Sequence, residues 1–245
     1  GNGNNFTVNN LTSIDQSTDT CTNNFATLNP LCRTNATLLN GNLEIDQNGG
    51  DGSFVASTFG ASSGKYYVEV KLLNWSQSPS RHDVGIATIE STQGSPSASA
   101  LPIPSNYSDS VYYNVYWDRI ETSGGNTTLS SGRSNNDIFM MALDLDNNYF
   151  YFGRNGTWLN SGDPTSGSSG TGGFSTTANK TYFITTFSND ASSNTIHNND
   201  WQFNFGNPVH SISSGNSDGN GHGNFEYAVP SGYYSLNTKN LAEYG

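Results

Sequence analysis

The sequence is poor in charged residues, in sulfur-containing residues and in long apolar runs. Charged residues make up 12% of its 245 positions, and there are only two Met and two Cys. No stretch approaches 18 consecutive apolar residues, and no charged start is followed by an apolar run, so we expect neither a membrane span nor a signal peptide. Lys and Arg total 9 against 20 Asp and Glu, a formal net charge of −11 without any basic cluster. We therefore expect no nucleic-acid or membrane partner.

Small polar residues and aromatic residues are abundant instead. The chain holds 27 Gly, 34 Asn, 58 Ser or Thr, 13 Tyr, 13 Phe and 4 Trp. Gly, Asn, Ser and Thr are unfavourable in helix interiors, whereas aromatic residues and Thr suit strands. The composition therefore predicts an all-β protein. Its length of 245 residues is common for a sandwich that forms a single domain. With so little charge, neutral sugars or other protein subunits are the expected partners.

Strand patterns divide the chain into an arm and a sandwich. Residues 1–40 are predicted to be an extended polar arm or linker, and residues 41–245 a β-sandwich domain with a C-terminal extension. Within the domain, Tyr66 to Leu73 alternates as a half-buried strand does, with Glu69 and Lys71 on the outer face. Asn155-Gly156 is a strong hairpin signal, since both residues tolerate positive φ. The segment 138–159 is accordingly predicted to be a three-strand meander.

Candidate binding residues are aromatic side chains next to polar turn residues. Three stretches, 92–106, 160–177 and 213–224, are predicted to be long loops, which in a compact domain are often functional or disordered. Aromatic rings beside Asn, Asp and Arg suit sugar binding and protein interfaces alike. Packing in the core or in a loop is the competing interpretation for each. The candidate ligand-binding residues are Trp75, Tyr107, Trp117, Asp118, Arg119 and Trp158.

Patterns for catalysis and for metal or cofactor binding are weak. Glu44-Ile-Asp46 begins the acidic strand of laminarinase-type sandwiches, but Gly49 stands where the acid is required. The Asp144 to Asn148 turn offers oxygens but lacks the Gly and closing Glu of a calcium loop. The four His are dispersed, and solvated loop positions are the default interpretation. A disulfide between Cys21 and Cys32 is left open. We predict no catalytic residues, no metal and no cofactor, with calcium and a polysaccharide-cleaving activity as the weighed alternatives.

A run of segments resembles the SPRY family. The similarity covers about residues 41–208, and its most specific part is DLDN-x-x-YF-x-x-NG-x-W, although family members have tryptophans where Tyr66 and Val68 stand. The resemblance implies a bent antiparallel β-sandwich, a concanavalin-like jelly roll, that binds partners through its loops and is not catalytic. The segments are SGKYYVEV from Ser63, VGIA from Val84, IFMMALDLD from Ile138, YFYF from Tyr149, NGTW from Asn155 and FNFG from Phe203.

The flanks of this region resemble the segments around SPRY-like modules in phage virion proteins. These flanks are Phe25 to Leu31 and Pro230 to Leu241. They imply a non-enzymatic structural module of a phage virion, on a tail fibre or similar appendage at the particle surface. The expected partners are other virion subunits, including further copies in a homo-oligomer, and a host-surface glycan or protein. The alternative is a capsid decoration or assembly subunit with a purely structural role.

Overall fold

Two antiparallel sheets account for most of the chain. The computed structural model describes residues 19–46, 53–74, 81–88, 109–129, 132–189 and 200–245. Within these residues there are sixteen strands, β1 to β16, seven in one sheet and nine in the other. The predicted all-β sandwich is confirmed.

The seven-stranded sheet has the strand order β1-β4-β14-β6-β7-β8-β9, and every neighbouring pair is antiparallel. Its edges are therefore β1 and β9. The strands of this sheet are β1 (Leu28–Thr34), β4 (Ser53–Ala61), β6 (Arg81–Thr88), β7 (Val111–Asn114), β8 (Arg119–Thr122), β9 (Gly125–Thr128) and β14 (Tyr182–Asn189).

The nine-stranded sheet has the order β12-β11-β10-β5-β15-β3-β2, with β13 paired to β11 and β16 paired to β5. The short pairing of β16 with β5 is parallel, and the other pairs are antiparallel. The strands of this sheet are β2 (Thr37–Leu39), β3 (Glu44–Asp46), β5 (Lys65–Leu72), β10 (Ile138–Asp144), β11 (Tyr149–Arg154), β12 (Thr157–Trp158), β13 (Phe174–Ser175), β15 (Asp200–Asn204) and β16 (Tyr234–Ser235).

The main core lies between the two sheets. Val68 and Val70 of β5 and Val84 and Ile86 of β6 all belong to one buried cluster. The Tyr113 ring of β7 lies 4.7 Å from the Phe139 ring of β10, so aromatic side chains join the sheets directly. The alternation predicted for β5 is confirmed on this inner face, because side chains two residues apart point the same way.

The outer face of the nine-stranded sheet differs from the prediction, because the C-terminal segment 206–245 covers it. Glu69, predicted to lie on an outer face, is completely buried, and so is Asn204 on β15. Tyr67, Met140 and Tyr151 of the sheet form a second apolar cluster with Phe225 and Tyr233 of that segment. The strand β5 is therefore buried on both faces rather than half-buried.

Turns follow the local sequence closely. Asn155 and Gly156 have φ values of 48° and 82° between β11 and β12, so the predicted hairpin and three-strand meander are confirmed. The stretch 160–177, predicted to be a long loop, contains two short 3₁₀ segments, Leu159–Ser161 and Pro164–Ser169, and the strand β13. The predicted loop 92–106 lies outside the described residues.

The two flanks of the sandwich contact each other. Residues 28–39, within the segment predicted as an arm, form β1 and β2 and so belong to the sheets, while residues 1–18 lie outside the described part. Just before β1, the backbone N–H of Ala26 donates to the carbonyl of Leu236 at 2.9 Å. The helix α1 (Thr238–Tyr244) follows, capped by the side chain of Asn237. No helix among the described residues is long and apolar enough to cross a membrane.

Candidate functional site

Three of the predicted site residues lie at the turn of one hairpin. Trp117 and Asp118 are in the turn between β7 and β8, and Arg119 is the first residue of β8. Asp118 has a φ of 48°, a conformation that Asp tolerates better than most residues. Its carboxylate accepts hydrogen bonds from the Tyr113 hydroxyl at 2.9 Å and from the backbone N–H of Gly132 at 2.8 Å. Asp118 is thus a buried anchor for the turn rather than an exposed ligand contact.

The hydroxyl that Asp118 accepts from stays protonated over the whole physiological range. Burial, and then the neighbouring negative charge of Asp118, raises the pKa of Tyr113 well above its usual value. The hairpin is also closed by the Trp117 backbone N–H, which donates to the Asn114 side chain at 3.1 Å. The turn conformation is therefore fixed by hydrogen bonds to buried groups.

Trp117 presents its ring at this turn, stacked on a cation. The guanidinium of Arg119 lies 4.3 Å from the Trp117 ring centroid, and Trp117 as a residue remains 42% exposed. On its other side Arg119 donates from Nε and Nη2 to the buried Glu121 carboxylate at 2.8 and 2.6 Å. The Tyr116 ring meets Trp117 edge-on with centroids 5.2 Å apart. We call Tyr116, Trp117 and Arg119 the hairpin surface.

The hairpin surface has the residue types and the rigidity of a binding contact. An Arg held between an aromatic ring and a carboxylate loses little further freedom when a partner arrives. Trp, Tyr and Arg are also the residue types that most often dominate protein interfaces. The Glu121 carboxylate already accepts from Arg119 and from the Asn114 side chain. The hairpin surface therefore offers a rigid aromatic and cationic contact.

Trp158 lies apart from the hairpin surface. It is on β12, at an edge of the nine-stranded sheet, and its half-buried ring packs edge-on against Tyr67 at 6.5 Å. The structure places this residue with the cluster under the C-terminal segment, so packing is the better account of it. Trp75 and Tyr107 lie outside the described residues.

The acidic residues weighed for calcium or catalysis hold turns and strand pairs together. The Asp144 carboxylate is completely buried, 2.9 Å from the ammonium of Lys65, and accepts the Asn147 backbone N–H at 2.9 Å. Asp146 accepts the backbone N–H of Gly64 at 2.9 Å. Among the described residues no three His, Cys, Asp or Glu side chains cluster as metal ligands do. Cys21 and Cys32 are separate thiols rather than a disulfide.

A pocket that the sequence did not reveal lies where the two flanks of the sandwich meet. Its volume is about 360 Å³, and its lining includes Phe25 from the N-terminal flank, His222 from the predicted loop 213–224, and Lys239 from α1. His222 was expected to be a solvated loop residue. The Gly- and Asn-rich composition of the loop is the one sequence signal for a site here. No local pattern shows that this loop meets residues 20–25, some 200 positions earlier.

Comparison with known proteins supports the fold. No family model and no curated protein sequence matches the chain. The SPRY domain of human HERC1 is similar in structure, with a TM-score of 0.51 and 17% identity over 72% of this chain and 96% of that chain. Stonustoxin gives a TM-score of 0.48 at 15% identity, and this chain spans only 27% of its length. A further human SPRY domain gives 0.44 at 13% identity. The similarity to the HERC1 domain shows that the sandwich has a SPRY-like fold.

Proposed function

We propose that this protein is a non-enzymatic interaction module that binds another protein through the hairpin surface. One observation carries the proposal: an exposed Trp117 ring is held by Arg119, which is itself fixed by the buried Glu121. Tryptophan is highly buried on average in soluble proteins, and a rigid exposed one beside Arg has the composition of an interface hot spot.

Charge and fold support a protein partner over other classes. The net charge of −11 disfavours nucleic acid and anionic lipid. The SPRY-like fold favours binding through loops, although fold alone does not assign function. The carboxylates of Asp118, Asp144 and Glu69 accept hydrogen bonds from the protein itself, which supports a role without catalysis.

The test uses two variants that each remove one exposed apolar side chain. Trp117→Ala removes the centre of the hairpin surface, whereas Leu31→Ala removes a side chain that is 95% exposed on β1, the far edge of the same sheet. Peptides selected from a displayed random library on the immobilised full chain would then be measured against both. We expect Trp117→Ala to weaken the selected peptides by about 30-fold or more, as loss of a hot spot does, and Leu31→Ala to leave them unchanged. Peptides that bind the wild type and Trp117→Ala equally would refute the proposal.

The predicted setting, a phage tail fibre or similar appendage at the virion surface, is also part of the proposal. The two flanks that resemble those of phage modules lie side by side, with Phe25 paired to Asn237 in an antiparallel bridge. Adjacent ends suit a module inserted into a longer chain. Immunoelectron microscopy of phage particles that carry this sequence would test it. Label confined to appendages is expected, whereas label spread over the capsid lattice would favour the capsid decoration alternative.

A further inference from the structure

The pocket between the flanks is walled by segments that hydrogen bonds hold in place. On the C-terminal side, both Asp218 oxygens accept backbone N–H groups: those of Asn220 and His222 at 2.9 Å and that of Ser235 at 2.9 Å. On the N-terminal side, Phe25 donates its backbone N–H to the Asp19 carboxylate at 2.8 Å. Because these walls are already ordered, binding of a ligand costs little conformational entropy.

Three of the ten residues that line the pocket are glycines. Gly206, Gly221 and Gly223 all line it with positive φ values of 126°, 75° and 89°. A Cβ at Gly206 would lie 2.3 Å from the Phe25 ring, so glycine is needed there for the ring to pack. Glycine in such a wall lets a ligand approach the backbone closely. At about 360 Å³ the pocket lies at the small end of the range for ligand sites, roughly 300–1,000 Å³.

The polar groups of the pocket both donate and accept hydrogen bonds. Thr20, Thr22 and Asn224 contribute hydroxyl and amide groups, and Phe25 adds an apolar surface. His222 also lines the pocket, and its Nε2 is buried without a hydrogen-bond partner. Hydroxyl groups, which donate and accept, match such a lining.

Charges around the pocket offset one another, which fits a neutral ligand better than an ion. Lys239 is the one side chain with a fixed charge among the described residues of the lining, and it is exposed. Two carboxylates, Asp19 and Asp218, are bonded to the walls. Burial alone would raise the pKa of Asp218, but hydrogen bonds from Ser235, His222 and Asn240 outweigh it and lower that pKa, so the carboxylate stays ionised. The protein as a whole carries −11.

We infer that this pocket binds a neutral, hydroxyl-rich ligand the size of one sugar ring. The site is separate from the hairpin surface and does not depend on the function proposed for it. Hydroxyls of the ligand pair with the Thr, Asn and His222 groups, and its C–H face lies against the apolar part of the lining. Because the site is small and partly open, the affinity is expected to be weak, with a Kd on the order of 1 mM.

The experiment is a titration of the full ¹⁵N-labelled chain, followed by amide chemical shifts. The probes are four neutral sugars: D-glucose, D-galactose, D-mannose and N-acetyl-D-glucosamine. D-glucuronate, the anionic analogue of glucose, is the control. We expect at least one neutral sugar to give saturable shifts at Gly221, His222 and Gly223, and glucuronate to shift them less than glucose does. Absence of saturable shifts from all four neutral sugars at concentrations on the order of 10 mM would overturn the inference. Glucuronate binding as tightly as the best neutral sugar would overturn it too.

Two matched glycine variants separate binding in the pocket from general effects. Gly221 lines the pocket, and a Cβ there meets nothing within 4 Å, so Gly221→Asn adds a side chain at the pocket with a residue that tolerates positive φ. Gly232→Asn makes the same change at a φ of 83°, also in open space but outside the lining. We expect Gly221→Asn to weaken the sugar by about tenfold or more and Gly232→Asn to leave the Kd unchanged. Equal binding by the wild type and Gly221→Asn would contradict the proposed location.

Discussion

The carboxylate of Glu69 accepts the backbone N–H of Tyr227 at 2.8 Å, across 158 positions of sequence. The same carboxylate accepts the backbone N–H of Glu226 at 2.9 Å, the Tyr67 hydroxyl at 2.9 Å and the Asn204 amide at 3.3 Å. A single buried side chain in the middle of the nine-stranded sheet therefore holds the C-terminal segment against that sheet.

Replacing Glu69 with Gln should loosen this attachment. The new amide nitrogen faces donors where an acceptor is needed, which costs about 1–3 kcal/mol for a buried group left unpaired. We expect urea unfolding to show a loss of that size for Glu69→Gln. Glu243→Gln, the same change at an exposed position of α1, serves as the control and should have little effect. Equal stability of the two variants would contradict the role assigned to Glu69.

Asp118 should matter for stability, and Trp117 for binding. Asp118→Ala leaves the buried Tyr113 hydroxyl and the Gly132 N–H without their acceptor and places Ala at a positive φ. The expected loss is about 2 kcal/mol or more in the free energy of unfolding. Trp117→Ala removes a side chain that is 42% exposed, so its cost should be smaller. Chemical denaturation of both variants measures the loss in the free energy of unfolding. A larger loss for Trp117→Ala than for Asp118→Ala would contradict the roles assigned to these two residues.

His210 should make the fold sensitive to mild acid. Burial, and then the nearby charge of Lys71, lowers its pKa to about 4, with Glu226 opposing in part. This value lies below the ordinary 6.5, so the unfolded chain binds the proton more tightly than the folded chain does. The free energy of unfolding therefore keeps the contribution of neutral His210 above pH 6.5 and loses it as the pH falls towards 4.

The test compares the wild type with His210→Phe, since both ring nitrogens of His210 are buried without a hydrogen-bond partner and Phe keeps a ring in place. The free energy of unfolding should fall less for the variant between pH 6.5 and pH 4, by on the order of 1 kcal/mol after allowing for partial exposure. Parallel pH profiles would rule out a contribution from His210.

The two cysteines should react at different rates. Cys21 is exposed, while partial burial raises the pKa of the Cys32 thiol and so lowers its thiolate fraction. With a thiol reagent at pH 8, we expect Cys32→Ser, which retains Cys21, to react about tenfold faster or more than Cys21→Ser. A wild-type chain that shows no reactive thiol until a reductant is added would instead indicate a disulfide.

Local pattern is enough to predict the central strands of the sandwich and the tight turn at Asn155-Gly156, but not the strands β1 and β2 in the segment predicted as an arm. The meander of β10, β11 and β12 follows from the apolar run 138–145, the four aromatic residues 149–152 and Asn155-Gly156, where the sequence itself sets the backbone conformation. The inner face of β5 follows from its period of two. These features depend on residues close together in the chain.

The features that sequence reasoning missed depend on contacts between distant segments. The alternation of β5 predicts an outer position for Glu69, because nothing near it in the sequence indicates that residues 206–229 cover the sheet. Trp158 was grouped with Trp117 because both adjoin polar turns, but the fold places them on different sheets. The pocket joins residues 20–25 to 221–224, so neither segment alone marks it.

The antiparallel bridge between Phe25 and Asn237 has a mechanical consequence. Force applied to the chain on both sides of this bridge loads first the few bonds that join the flanks, including that between Ala26 and Leu236, and reaches the two sheets only after those bonds have opened.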